Sequence, residues 1–149
     1  MADYWPQEEG AVFDANSYIL PCRPDGSVTE LSSVKVGTTV AGRISVAAST
    51  AVGDGIGIAL KAATGAGAPE RIPVLFYGVT KTTLTQPAGG GPAMGEFCMN
   101  SITTSMIVDP AALWASLVAS GAGSSYIMGM ALHGCADGDE ALMLVGKCV

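Results

Sequence analysis

His133-Gly134-Cys135-Ala136-Asp137 sets an imidazole, a thiol and a carboxylate within five residues. On a strand, positions 133 and 135 point the same way, so this pair could offer two metal ligands. A zinc site needs three or four, and no further ligand stands at a recognisable spacing, so the group reads as the polar end of a hairpin. Asp137-Gly138-Asp139-Glu140 resembles the start of a calcium loop, but the ligand that should close such a loop is missing, which leaves an acidic turn. With one His in the chain, a Ser-His-Asp triad would have to use His133, and no Gly-x-Ser-x-Gly elbow surrounds any serine. Gly89-Gly90-Gly91 is followed by neither Lys-Ser nor Lys-Thr, so it is no phosphate loop. These residues lead us to expect no catalytic centre, no metal and no cofactor. An enzyme built on His133 stays open only if a distant strand brings it a second polar partner.

The elements that carry these residues form a repeat. Gly57-Ile58-Ala59-Leu60, followed by Val74-Leu75-Phe76-Tyr77-Gly78, is echoed by Gly129-Met130-Ala131-Leu132 and Leu142-Met143-Leu144-Val145-Gly146. The spacing from Leu to the closing Gly differs between the copies only through loop length, where insertions cost little. Two copies of a strand, turn, strand unit suit a structural element better than a catalyst.

The chain has 149 residues, one domain by length, and should bury roughly 70% of the surface its unfolded form exposes. Gly (20) and Ala (22) leave 42 residues with almost no side chain. Charged residues make up 13%, against about 25% in an ordinary domain, and a free monomer generally needs more surface charge than that. From Phe97 to Ala136 the only formal charge is Asp109, so part of this stretch is core or is covered by another subunit. That length of uncharged chain predicts a homo-oligomer, most simply a trimer. The net charge of −6 argues against nucleic acid, whose affinity rests on Lys and Arg at phosphates. Met1-Ala2-Asp3-Tyr4-Trp5-Pro6 lacks the basic start and apolar run of a signal peptide, and no apolar run approaches the ~20 residues a bilayer requires. Cys22, Cys98, Cys135 and Cys148 include no Cys-x-x-Cys pair and read as reduced thiols acting as small hydrophobes. Disulfides are the alternative, with three connectivities open.

Residues 1–33 read as an extended N-terminal arm, broken by Pro6, Pro21 and Pro24 and carrying a net charge of −5 over its first thirty residues. Tyr4, Trp5, Phe13, Tyr18 and Ile19 are its candidate anchors, and Glu8, Glu9 and Asp14 are candidates to meet basic residues on a neighbour. Two readings stay open: a strap to another subunit, or an arm packed on its own domain. Residues 34–149 form the β-rich domain. Val34 to Val46 and Ile56 to Leu60 carry strand signals, and Arg71 to Thr85 is the strongest strand, with Pro73 arguing that it starts at a sheet edge. Thr64 to Pro69 reads as a loop tip with nothing to hold it, and Glu96 to Val108 as one further strand region. Asp109 as cap, Pro110 at the first position and Gly121 as stop predict one short helix, with Leu113, Trp114, Leu117 and Val118 on one face. The predicted fold is mainly β, a small barrel or sandwich with one helix and an arm. Aromatics are too few and too scattered to favour a ligand-binding or carbohydrate-binding β module, the main competitor among binding proteins.

Ala51-Val52-Gly53-Asp54-Gly55-Ile56-Gly57-Ile58-Ala59-Leu60 leading to Ile72-Pro73-Val74-Leu75-Phe76-Tyr77-Gly78-Val79, within a stretch from Val40 to Met99, resembles the lambda-type head-decoration proteins of phages. The resemblance implies a β-tulip-like fold without catalytic residues. It also implies a trimer that cements the outer surface of an assembled capsid by binding the major capsid protein, often through N-terminal arms. The location implied is the virion, after synthesis in the host cytoplasm. This chain departs from that family in its length, its second hairpin copy at 126–149 and its four Cys.

Overall fold

A computed structural model of the chain describes residues 17–37, 44–51, 53–85, 91–100, 106–108 and 127–146. The predicted helix at 109–121, Cys148 and the candidate anchors before Ser17 lie outside these residues. The described residues are mainly β, with strands β1 (Tyr18–Pro24), β2 (Ser27–Val28), β3 (Ser33–Val36), β4 (Ser45–Ala48), β5 (Gly57–Ala59), β6 (Ala63–Thr64), β7 (Ile72–Thr85), β8 (Phe97–Asn100), β9 (Met106–Val108), β10 (Gly129–Ala131) and β11 (Glu140–Gly146).

Strand pairing closes on itself twice. The first ring runs β7, β1, β4, β3, β5 and back to β7; the second runs β7, β11, β10, β8, β9 and back to β7. The fourteen-residue β7 is the wall they share, its first half facing β1 and β5 and its second half β11 and β9. The rings also match in orientation. In each, one strand pairs parallel, β1 with β4 and β7 with β9, while the remaining contacts are antiparallel. Taken in chain order, β1, β3, β4, β5 and the start of β7 correspond to the end of β7, β8, β9, β10 and β11. The repeat seen in the sequence is thus the last hairpin of a larger duplicated unit.

Each ring has its own core. Cys22, Val34, Val46, Ala59, Ile72 and Val74 fill the first, and Leu84, Cys98, Met128, Ala131, Ala141, Met143 and Val145 the second, joined there by Ile58, Leu60 and Leu75. Ile72 and Val74 point into the first ring, and Thr80, Thr82 and Leu84 are the buried positions beyond Gly78. Gly78 has φ +134°, and a side chain there would run into Ser17, so only glycine fits at this point of the strand. Gly129 is required for a different reason: its Cα lies so close to the Leu144 carbonyl that any Cβ would collide with it.

Several local expectations change. Residues 18–33 of the expected arm are built into the domain, with β1 lying between β4 and β7. Pro73 is not at an edge, because β1 flanks it at Pro21. Neither proline has an N–H to bond, and the Pro73 carbonyl accepts from Leu60 N at 2.9 Å instead. The region from Glu96 to Val108 is two antiparallel strands, β8 and β9, rather than one. The loop at 64–69 is held: Thr64 N donates to Ala68 O and Gly67 N to Pro24 O, each at 2.8 Å, and β6 pairs with β2.

Candidate functional site

The sequence put its reactive side chains at the β10–β11 turn, and there the structure spends them on the backbone. His133 is exposed; its Nε2 accepts from Leu142 N at 3.1 Å and its Nδ1 lies 2.9 Å from Gly134 O. A tautomer with the proton on Nδ1, assigned from these partners, satisfies both contacts. The Cys135 thiol donates to Asp139 O at 3.7 Å, and burial, then Asp139 and Asp137, push its pKa up, away from nucleophilic thiolate. Among the described residues no group of three or more His, Cys, Asp or Glu side chains is placed to hold a metal ion. Cys22 and Cys98 are buried free thiols, and burial pushes Cys98 up to about 12.

A polar clamp that the sequence reading missed joins the two rings. Asn100, fully buried at the end of β8, accepts from Gly53 N and Gly55 N at 3.0 Å each, and donates to Ala51 O at 2.6 Å and to Asp54 Oδ1 at 3.0 Å. Asp54 Oδ2 in turn accepts from Thr50 N and Ala51 N, and Lys35 Nζ stands 3.7 Å away while also bonding the Thr50 hydroxyl. The side chain uses both its donors and its acceptor oxygen to fix the 50–55 turn, a positioning task with no open ligand place. An uncharged polar residue closing the apolar run Phe97-Cys98-Met99 was its signal.

What remains to act on another molecule is the outer face of the second ring. Cross-strand partners Val79, Leu144, Met130 and Phe97 form one unbroken apolar row over β7, β11, β10 and β8. Tyr77 lies beside it on Gly146, with Tyr18 as its neighbour across β1, and Leu142 flanks the other side opposite Lys81. Tyr18, Tyr77 and Phe97 are each more than half exposed, at 57%, 52% and 53%. Phe97 ends the row on β8 and Tyr77 and Tyr18 lie beside its β7 end, so the apolar exposure here is contiguous rather than scattered. Of the sequence candidates, Tyr18 belongs to this face, meeting the Phe76 ring edge-on at 6.3 Å. Ile19 does not, because it packs half-buried against the second core. Tyr4, Trp5, Glu8, Glu9, Phe13 and Asp14 lie outside the described residues.

The fold has a counterpart among solved structures. It is the N base of a phage head fibre, gp8.5 of bacteriophage phi29. The two superpose with a TM-score of 0.56 over 88% of this chain and 95% of that one, at 10% sequence identity. The likeness is therefore one of fold. No family model and no curated protein matches the chain. The lambda-type resemblance read from residues 40–99 is accordingly not supported as a family assignment, and what stands is a fold shared with a protein of the phage head.

Proposed function

We propose that this chain is a structural protein of a phage virion, fixed on the outer surface of the assembled head by the major capsid protein and working as a homotrimer without catalytic chemistry. The observation that carries the reading is the apolar outer face of the second ring, presented on a fold shared with a head fibre base. Low charge and small side chains suit a protein whose surface is largely covered by neighbours. On this reading residues 1–16 are the strap to the head. Tyr4, Trp5 and Phe13 anchor it, while Glu8, Glu9 and Asp14 meet basic groups on the capsid, and the attached subunits cement contacts between capsomers.

Co-sedimentation with heads assembled from the cognate major capsid protein tests this. Removing residues 1–16, a cut that stops short of β1, should leave the far-UV spectrum unchanged and weaken head binding at least tenfold. Raised salt should weaken the full chain more than the truncated one. Heads that take up no protein would refute the virion role, and equal binding by the truncated chain would refute the strap.

A further inference from the structure

The outer face of the first ring ends in a polar pair. Leu75 and Ile58 are cross-strand partners on β7 and β5, and Ile58 in turn partners Ser33 on β3. The register of β3 with β4 sets Ser33 opposite Ser49, whose N–H donates to the Ser33 carbonyl at 3.2 Å. Partners across a sheet project on one face, so all four side chains point toward the second ring, whose core takes in Ile58 and Leu75. Ser33 and Ser49 are buried beside them, 2% and 8% exposed, and neither hydroxyl has a hydrogen-bond partner. Neighbouring hydroxyls do find partners: Ser32 Oγ donates to Thr29 O at 2.6 Å and Thr82 Oγ1 to Leu31 O at 2.7 Å. The matching place on the second ring is held by Phe97, the partner of Met130. The joint between the rings thus carries a small polar side chain where the other ring carries a large apolar one.

We propose that Ser33 and Ser49 form a binding site for one ordered water molecule at the joint between the rings, with each hydroxyl bonded to it. Buried hydroxyls in folded proteins are as a rule paired, with protein or with ordered water, because leaving one unpaired forfeits its hydration without return. The separation suits a bridge. Opposed side chains on adjacent strands have Cβ atoms about 4.5–5.5 Å apart, and a water bonded to two oxygens at about 2.8 Å each spans up to about 5.6 Å. Such a water accepts from one hydroxyl and donates to the other, which satisfies both. Two polar partners are enough to hold a buried water. Ser49 directly precedes the 50–55 turn, so the water ties the start of the segment that Asn100 holds further along. The inference stands apart from head attachment and from trimer formation.

A crystal structure of the full chain that shows ordered solvent tests the site directly, and water NOE spectroscopy in solution gives a second reading. A water oxygen should lie within about 3.2 Å of both Oγ atoms, and long-lived water should give cross-peaks to the Ser33 and Ser49 protons. Urea denaturation of alanine variants supplies the energetic test. Ser33→Ala and Ser49→Ala each take one partner from the water, so each midpoint should fall, and the water cross-peaks to the remaining serine should weaken. Ser33→Ala/Ser49→Ala removes both hydroxyls and the demand for a partner, so its midpoint should lie above the sum of the two single losses. Single variants whose midpoints rise or stay level, or a double variant that is strictly additive, overturn the proposal. So do hydroxyls found bonded to each other with no water between them, an arrangement that also gives non-additive midpoints and is told apart by the solvent measurement. A variant that fails to fold leaves the decision to the wild-type chain, where absence of the water refutes the site and its presence on both hydroxyls establishes it.

Discussion

Replacing Asn100 with Ala should be among the most damaging single changes in this protein, although Asn100 touches no proposed partner. The side chain makes four hydrogen bonds, to Gly53 N, Gly55 N, Ala51 O and Asp54 Oδ1. Three lie at part-buried positions, where each bond contributes about 1 kcal/mol net, while the one to Gly55 is fully buried and its loss costs about 1–3 kcal/mol. With partial relaxation of the turn the total is about 3–5 kcal/mol, a large part of the roughly 5–15 kcal/mol that holds a domain together. In a chain of this length that corresponds to a melting point lower by about 10 °C or more. Asn100→Asp should be no better, because it sets a second carboxylate against Asp54 where an N–H donor stood. Pairing it with Asp54→Asn returns a donor to that contact, so the double variant should be more stable than the two single changes predict. Urea denaturation of wild type, the three single variants and the double variant gives the coupling directly. An Asn100→Ala chain within about 1 kcal/mol of wild type, or strict additivity in the cycle, would refute the clamp.

Two further changes follow from the chemistry of single side chains. Burial raises the Cys98 pKa from 9.0 to about 12, so the thiol is protonated in the folded chain where it has ionised in the unfolded one. Its contribution to stability is thus complete below pH 9 and falls as pH rises toward 12; denaturation midpoints at pH 8 and pH 10.5 should differ, and Cys98→Val should reduce the difference. His133→Ala removes the acceptor for Leu142 N at an exposed turn, so urea denaturation should register a loss of about 0.5–1 kcal/mol and head binding should be unchanged.

The hairpin repeat was legible because its apolar pattern recurs in sequence, and β5–β7 and β10–β11 are both present, but its second strand was matched one residue out: the echo set Val74 against Leu142, whereas Val74 partners Ala59 as Met143 partners Ala131. The rest of the duplicated unit was not, because β3 and β8, or β4 and β9, share a place in the ring without sharing residue types: Val34-Lys35-Val36 stands where Cys98-Met99-Asn100 does. Ring closure depends on pairings between residues as far apart as Tyr18 and Tyr77, which local pattern does not carry. The same limit misplaced Pro73, whose edge reading is sound for a lone proline but not for one facing Pro21. The contact face was half legible. The uncharged run from Phe97 held two members of the row, Phe97 and Met130, but Val79 and Leu144 join them only through strand register. Nor did the sequence show that each ring nitrogen of His133 has a backbone neighbour, Leu142 N at Nε2 and Gly134 O at Nδ1.

The shared strand ties the fates of the two rings. β7 gives Ile72 and Val74 to one core and Leu75 and Leu84 to the other, so melting either ring strips a wall from its neighbour and exposes the neighbour's interior. Two units of this size joined by a linker could open one at a time, each with its own midpoint. Here no intermediate keeps one ring closed while the other is lost, and the chain should behave as a single cooperative body despite having two cores. On the proposed seat at the head surface, that coupling would turn a local strain at one ring into a load carried by both.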